Sequence, residues 1–250
     1  MTLLDHLLAI FLVVIGPLRS GAVGLRRFRD ARPEELPRVR RQAYVVAIVT
    51  QWVRVAATLL VWRTLFRPVS ELGLEFRAGA GSIGVGVGLA IIIVVMLRQR
   101  RQAIDDPEGR AEIRHRLANV RLLLPHTRAE FGLFGWVAIT AGLCEELLYR
   151  GYLIWYFSHV MPWWAAALAA SLAFGFGHAY QGARGIATTA LLGAFLAAVY
   201  FVTGSLYASM LIHALMDLHS GDLAWRAYEA EPADRAAGGP PPAEDAGNAP

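Results

Sequence analysis

Two adjacent carboxylates, Glu145 and Glu146, lie inside an apolar run that extends from about Phe131 to Phe157. About 20 apolar residues cross the ~30 Å hydrocarbon core of a bilayer, so this run is long enough to span a membrane. Ionisable residues at that depth are costly and mark functional sites. Glu146 and Arg150 share a helix face, four residues apart, so we expect an ion pair between them. Glu145 points ~100° away from Glu146 and has no partner at that spacing.

Further ionisable side chains recur in the apolar runs that follow. His178 comes one helical turn after Phe174, and His213 and Asp217 are also four residues apart, on one helix face. Counted from the outer end of each predicted span, Glu145, His178 and His213 fall within roughly 11 Å of one another along the membrane normal, at ~1.5 Å per residue. We therefore predict that these side chains share one site in a helix bundle.

One carboxylate and two imidazoles from three helices allow two kinds of site. Glu145, His178 and His213 can hold a divalent metal such as zinc, which lowers the pKa of a bound water to ~7. The same side chains can hold a water molecule without a metal, and Glu145 then acts as the general base. Either arrangement would prepare a water for attack on a carbonyl group. The residues alone leave both kinds of site open.

The composition indicates a membrane protein. Of the 250 residues, 56% are hydrophobic and the mean hydropathy is +0.41, which is too apolar for an ordinary soluble domain. All 24 basic residues are Arg, and they lie mostly between the apolar runs. This placement favours membrane topology over nucleic-acid binding as the reason for the net charge of +4. The single cysteine, Cys144, excludes an intrachain disulfide and a cysteine-based metal cluster.

The apolar runs predict an all-α fold, a polytopic bundle of about seven transmembrane spans. The predicted spans are 3–18, 43–66, 81–97, 131–157, 163–177, 186–202 and 205–218. Residues 1–130 hold the first three spans and two loops, 19–42 and 98–128, with eight Arg each. Loops this basic belong in the cytoplasm, which puts the N-terminus outside and the C-terminus inside. Residues 229–250, rich in Pro, Ala, Gly and acidic side chains, are expected to form a disordered tail.

Two features of the N-terminal spans lead to further predictions. Arg54 lies deep in the second span and must face protein, water or a thinned bilayer. We interpret it as a member of a structural ion pair rather than as a substrate contact. The third span presents a smooth surface that predicts close approach of another helix. Its small residues are Gly81, Gly84, Gly86 and Gly88.

The polar motifs together resemble a known family. Residues 131–218 carry, on successive apolar spans, the motifs Glu145-Glu146-x-x-x-Arg150, Phe174-x-x-x-His178 and His213-x-x-x-Asp217. This set is similar to the CPBP intramembrane proteases, a family that includes the CAAX prenyl endopeptidases of the Rce1 type and bacterial relatives labelled Abi proteins. The resemblance implies a helical bundle with its catalytic cavity inside the bilayer. It also implies hydrolysis of a peptide bond in a membrane-associated peptide or protein.

The resemblance also implies a role for each motif residue. Glu145 and His178 would activate the water, while His213 and the residue at 217 would bind the developing oxyanion. Many family members carry Asn at this last place, and an ionised Asp217 cannot donate a hydrogen bond to an oxyanion. Asp217 must therefore be protonated, orient His213, or ligate a metal. The supporting residues, which would shape the site, are Glu146, Arg150 and Phe174.

Two other functions remain open. A non-catalytic membrane interaction protein or bacteriocin-immunity protein could keep the same fold, although a scaffold has no need of all these polar residues. A transporter or proton relay also uses buried Glu and His, and the lack of an internal repeat counts against it. The Arg-only, Ala-rich composition favours a bacterial cytoplasmic membrane, and hence a substrate other than a prenylated protein.

Overall fold

The computed structural model describes residues 1–17, 26–76, 79–105 and 107–229. Within these ranges the chain is helical and has no β-strand, so the predicted all-α fold is confirmed. The main helices are α1 (Leu3–Ile15), α2 (Leu36–Thr64), α3 (Ala80–Asp105), α4 (Pro107–Leu117), α5 (Arg128–Phe157), α6 (Trp163–Gly177), α7 (Gly182–Thr203) and α8 (Leu206–Glu229).

Several of these helices have the length and apolar character of membrane spans. The stretches that are long and apolar enough to cross a bilayer are Pro33–Thr64, Ile83–Arg101, Arg128–Phe157 and Ala179–Thr203. The helices α1 and α6 are apolar but shorter. The chain is thus an integral membrane protein with a helical bundle, while the number of seven spans stays a prediction.

Parts of both predicted basic loops are helical. The helix α2 begins at Leu36 rather than at residue 43, α3 continues to Asp105, and α4 lies inside the second predicted loop. Leu117, the last residue of α4, packs against Ala224 and Tyr228 of α8. The helix α8 extends beyond its predicted end to Glu229, so only the part of the predicted tail from residue 230 lies outside the described residues.

The helix α5 lies at the centre of the bundle, in contact with α2, α6 and α8. Tyr152 and Leu153 of α5 are fully buried, together with Trp62 of α2 and Leu72 of the segment that follows α2. Burial of side chains on several faces of one helix is typical of the core helix of a bundle. Side chains of α5 are therefore positioned by helices on more than one side.

The glycines of α3 do not have the role that the sequence predicted. A Cβ atom at Gly84, Gly86 or Gly88 would meet open space, so the predicted helix packing at these residues is wrong. Only Gly81, at the start of α3, allows a close approach, because a Cβ there would overlap the carbonyl oxygen of Val202. An apolar glycine-rich helix can thus face outward along most of its length.

Glycines of the later helices allow backbones to come together. A Cβ atom at Gly142 of α5 would lie 2.8 Å from the carbonyl oxygen of Met210 in α8. A Cβ atom at Gly175 of α6 would lie 2.6 Å from the carbonyl oxygen of Ile186 in α7. Both distances are too short for a real Cβ atom, so α5 approaches α8, and α6 approaches α7, more closely than side chains would permit. The first contact brings α5, which carries Glu145, close to α8, which carries His213.

Candidate active site

The two glutamates lie where α5 changes its hydrogen-bonding pattern. The α-helical part Arg128–Glu145 is followed by a π-helical segment, Glu146–Leu153, and α-helix resumes over Ile154–Phe157. Short π-helical segments are rare and occur frequently at functional sites. Glu145 therefore ends one type of helix and Glu146 begins the next.

Glu146 is fully buried and is held by two side chains. Arg150 Nη1 donates a hydrogen bond to Glu146 Oε1 at 2.9 Å, which confirms the predicted ion pair. His213 Nδ1 lies 2.8 Å from the same oxygen. Because a carboxylate paired with Arg can only accept, the Nδ1 atom of His213 carries the proton. All three residues are at most 3% exposed, so this cluster is closed to solvent.

Glu145 faces a cavity of about 190 Å³ and has a different set of neighbours. Gln51 Nε2 of α2 donates a hydrogen bond to Glu145 Oε1 at 3.1 Å. Glu145 Oε2 lies 3.9 Å from His213 Nε2, and Asp217 Oδ2 lies 3.7 Å from that same nitrogen. The two nitrogens of His213 thus face different carboxylates, Glu146 on one side and Glu145 with Asp217 on the other.

This arrangement bears on the role of Asp217. Glu146 already orients the His213 ring, through the Nδ1 contact of 2.8 Å. The 3.7 Å between Asp217 and the other ring nitrogen is too long for a hydrogen bond. The orienting role that was one of three options for Asp217 is therefore filled by Glu146 in this structure.

His178 lies at the end of α6, on the wall of the same cavity as Glu145. Its Nδ1 lies 2.9 Å from the carbonyl oxygen of Phe174. A carbonyl oxygen can only accept, so Nδ1 carries the proton and Nε2 remains an acceptor. The Phe174 ring meets the rings of both His178 and His213 edge to face, at centroid distances of 4.8 and 5.8 Å. Phe174 thus separates and supports the two imidazoles, with the Arg150 guanidinium 4.3 Å from its centroid.

The cavity also contains polar residues that the motifs do not include. They are Thr50, Gln51, Arg54, Tyr149 and Tyr180. Gln51 had one weak sequence signal, a polar side chain in an apolar span, three residues before Arg54. Its contact with Glu145 joins positions 94 residues apart, which no local pattern reveals. The active-site cavity therefore includes α2 as well as the segment that carries the motifs.

Arg54 is half-buried in α2. Its guanidinium carbon lies 5.8 Å from the ring centroid of Phe11. The ion pairs found among the described residues do not include Arg54, so the predicted structural ion pair is not found there. Its side chain lines the cavity instead.

The residues predicted to bind a metal were Glu145, His178 and His213. Over the described ranges, no three His, Cys, Asp or Glu side chains are grouped so that they could hold a metal ion. The zinc site stays a prediction.

A comparison with protein families gives one match that bears on this site. Residues 127–219 match the family described as type II CAAX prenyl endopeptidase Rce1-like. This match confirms the resemblance seen in the motifs, since the segment runs from the start of α5 into α8. It contains Glu145, Glu146, Arg150, Phe174, His178, His213 and Asp217. Neither the curated proteins nor the solved structures give a match to the chain.

Proposed function

We propose that this chain, which over residues 127–219 matches the Rce1-like family of endopeptidases, hydrolyses a peptide bond inside the membrane with a water activated by Glu145 and His178. The observation that carries the proposal is that these two side chains line one cavity. Each has one end fixed, Glu145 by Gln51 and His178 by the carbonyl of Phe174. A carboxylate and an imidazole acceptor held in this way can bind the two protons of one water.

In the proposed reaction, Glu145 is the general base. It takes a proton from the water while the water oxygen bonds to the carbonyl carbon of the peptide. The carbon–nitrogen bond then breaks, and the proton passes from Glu145 to the leaving amine nitrogen. His178 accepts a hydrogen bond at Nε2 and orients the water. A positioned general base contributes on the order of 10²–10⁴-fold to the rate.

His213 is the proposed donor to the oxyanion that forms on the carbonyl oxygen. Its Nδ1 proton is held by Glu146, whose negative charge is balanced by Arg150. Its Nε2 atom is directed toward Glu145, at 3.9 Å. Because Nδ1 already carries a proton, donation from Nε2 requires the doubly protonated, cationic ring, which the negative charge of Glu146 would stabilise next to the reacting carbonyl. Asp217 would assist as a second donor when it is protonated.

The substrate class follows from the depth of the site. Glu145 lies near the middle of the span Arg128–Phe157, so the scissile bond must be reached within the bilayer. A membrane-associated peptide or protein meets this requirement.

The test is cleavage of a peptide library by the protein purified in detergent, with products identified by mass spectrometry. We expect cleavage by the wild type and by the control Glu112→Gln, a change of an exposed carboxylate on α4, and no cleavage by Glu145→Gln or His178→Ala. Normal turnover in either of these two variants would contradict the proposal. A chelator is added in parallel, because loss of activity that zinc restores would indicate a metallopeptidase rather than a glutamate-type enzyme. A biological effect that survives Glu145→Gln would favour the non-catalytic interaction protein.

We also propose an orientation in the membrane. Arg40 of α2 pairs with Glu130 of α5 at 2.9 Å, and Arg100 of α3 pairs with Asp222 of α8 at 2.8 Å. Gly221 of α8 also lies against Phe134 of α5, so these contacts together place the basic ends of α2, α3 and α5 at the same end of the bundle as the C-terminal part of α8. Basic segments stay in the cytoplasm, so this end and the C-terminus are proposed to be cytoplasmic, in a bacterial inner membrane.

The opposite end of the bundle would then carry the N-terminus outside. Asp5 of α1 pairs there with Arg67, which follows the end of α2, at 2.6 Å. Cys144 is buried and is the single cysteine of the chain, so single cysteines introduced at either end can be labelled in a Cys144→Ser background. A membrane-impermeant maleimide should label a cysteine placed at residue 2 in intact cells, and one placed at residue 112 only after lysis.

A further inference from the structure

Arg54 is a cation in the active-site cavity that the proposed hydrolysis does not use. It lies within α2, Leu36–Thr64, and lines the same cavity as Glu145 and His178. A guanidinium inside an apolar span is costly unless a negative group or water accompanies it. The ion pairs found in the described ranges leave Arg54 out, whereas Arg150 in the same site has Glu146.

Arg54 also lines a second cavity, which is much larger. This cavity has a volume of about 1230 Å³ and follows α2 from Glu35 to Ala57, a distance of ~33 Å at 1.5 Å per residue. The two cavities have several lining residues in common, so they meet in this part of the fold. The shared residues are Gly16, Ala47, Thr50 and Arg54. Arg54 thus stands where a long, mostly apolar space meets the proposed catalytic water.

The position of Arg54 relative to Glu145 can be estimated through Gln51. Gln51 contacts Glu145 directly, at 3.1 Å, and Arg54 follows it by three residues, or ~4.5 Å along the helix axis. An extended peptide advances ~3.3–3.6 Å per residue. A group bound by the Arg54 guanidinium would therefore lie within a few residues of the peptide bond at Glu145.

We propose that Arg54 binds a carboxylate of the peptide substrate and so determines which peptide bond is cleaved. This inference rests on the proposed endopeptidase function. The planar guanidinium matches a carboxylate with two parallel hydrogen bonds, and the substrate would supply the ion-pair partner that Arg54 does not have among the described residues. The carboxylate is the free C-terminus of the substrate or an Asp or Glu side chain, and the apolar remainder of the substrate lies in the large cavity.

A binding measurement tests this without requiring turnover. Immobilised Glu145→Gln protein in detergent is incubated with apolar ten-residue peptide libraries, one with a free C-terminus and one with the same sequences amidated. Two further libraries are both amidated and identical in sequence except at one internal position, which is Asp in one library and Asn in the other. Retained peptides are quantified by mass spectrometry. We expect about tenfold preference for one carboxylate-bearing library over its neutral match, and loss of that preference in Glu145→Gln with Arg54→Gln.

The two arms identify the source of the carboxylate. Preference for the free C-terminus assigns it to the peptide end, and preference for Asp over Asn assigns it to a side chain. Equal retention of matched libraries, including no retention of any, overturns the proposal. So does a preference that persists when Arg54 is changed, while Arg63→Gln, a change at the exposed end of α2, should leave the preference intact.

Kinetics separate substrate binding from an effect on Glu145. With a cleaved peptide that carries the preferred carboxylate, Arg54→Gln should raise KM about tenfold and leave kcat within twofold. The matched neutral peptide should show no change in either constant. A fall in kcat for both peptides would make Arg54 a positioning residue and overturn the proposal. If the wild type cleaves nothing, the proposed function fails while the binding measurement still decides the role of Arg54.

Discussion

The two adjacent glutamates of α5 stand in opposite surroundings. Glu146 is fully buried, and Arg150 and His213 both contact one of its oxygens. Glu145 keeps 17% of its side chain exposed, has the neutral Gln51 as its hydrogen-bond donor, and faces a cavity. Identical side chains next to each other in sequence thus have different tasks. The buried one holds the imidazole in place, and the open one is available to a water.

The largest effect on peptide cleavage should come from substitution of Glu145, which faces the cavity. Glu145→Gln keeps the shape of the side chain but removes the base, so we expect peptide cleavage to fall on the order of 10²–10⁴-fold. Since an amide can still contact Gln51, the unfolding temperature in detergent should change little. A large fall in that temperature would mean that Glu145, like Glu146, stabilises the fold, and the two glutamates would then not have different roles.

Substitution of the buried Glu146 should mainly lower the stability of the protein. Glu146→Gln leaves Arg150 as an unpaired buried charge, and breaking such a pair costs about 3–5 kcal/mol. Thermal unfolding in detergent measures this loss. Replacing both residues by Leu should recover much of the stability, because no buried charge is left. Activity should stay low in the double variant, since His213 has lost its partner. Recovery of activity there would show that His213 needs no orientation by Glu146.

Phe174 contacts His178, which lines the cavity, and His213, which is buried beside Glu146. Its replacement should therefore moderately reduce both cleavage and stability. Phe174→Leu removes the edge-to-face contacts with His178 and His213, each worth about 0.5–1.5 kcal/mol. We expect stability to fall by about 1–2 kcal/mol. Cleavage should fall roughly tenfold, the equivalent of about 1.4 kcal/mol, as the two imidazoles lose their spacing. A change in stability alone would assign Phe174 to packing only.

The smallest effect is expected at Gln51. Gln51→Leu removes one hydrogen bond to a carboxylate, worth about 1.5–3 kcal/mol when it is made, and frees Glu145 to rotate. We expect cleavage to fall about tenfold, which corresponds to about 1.4 kcal/mol and lies near the lower end of this energy range. The unfolding temperature should change little. Gln99→Leu, the same change at an exposed position of α3 that lines neither cavity, is the matched control. Equal effects of the two substitutions on cleavage would mean that Gln51 has no specific role in the active site.

The side chains brought together around Glu145 were largely foreseen from local spacing. The intervals of four residues from Glu146 to Arg150 and from His213 to Asp217 are fixed by helix geometry, and apolar runs predict the helices that carry them. The neighbours on α2 could not be foreseen in this way. Gln51 reaches Glu145 through the packing of α2 on α5, and packing between distant segments leaves no periodic trace in one sequence.

The packing of the glycines also could not be predicted from local sequence patterns. Among the described residues, none would lie within 4 Å of a Cβ atom at Gly84 or Gly86 in α3, whereas Gly142 and Gly175 allow two backbones to approach. A glycine in an apolar helix has the same appearance in sequence in both cases. Whether it packs depends on the helix that lies opposite, which only the assembled bundle specifies.

The π-helical segment Glu146–Leu153 makes the number of residues in α5 as consequential as their identity. Its backbone bonds connect residues five apart rather than four, so the segment holds more residues than an α-helix of the same height. Deletion of one residue there would let the backbone revert to α-helix without a large rotation of one end of α5 relative to the other. Deletion of one residue in the α-helical part Arg128–Glu145 has no such surplus to remove, and it would rotate the residues before it by ~100°. Substitutions on the outward face, such as at Trp136, leave this register untouched. Single-residue deletions in Arg128–Glu145 should therefore reduce cleavage more than single-residue deletions in the π-helical segment.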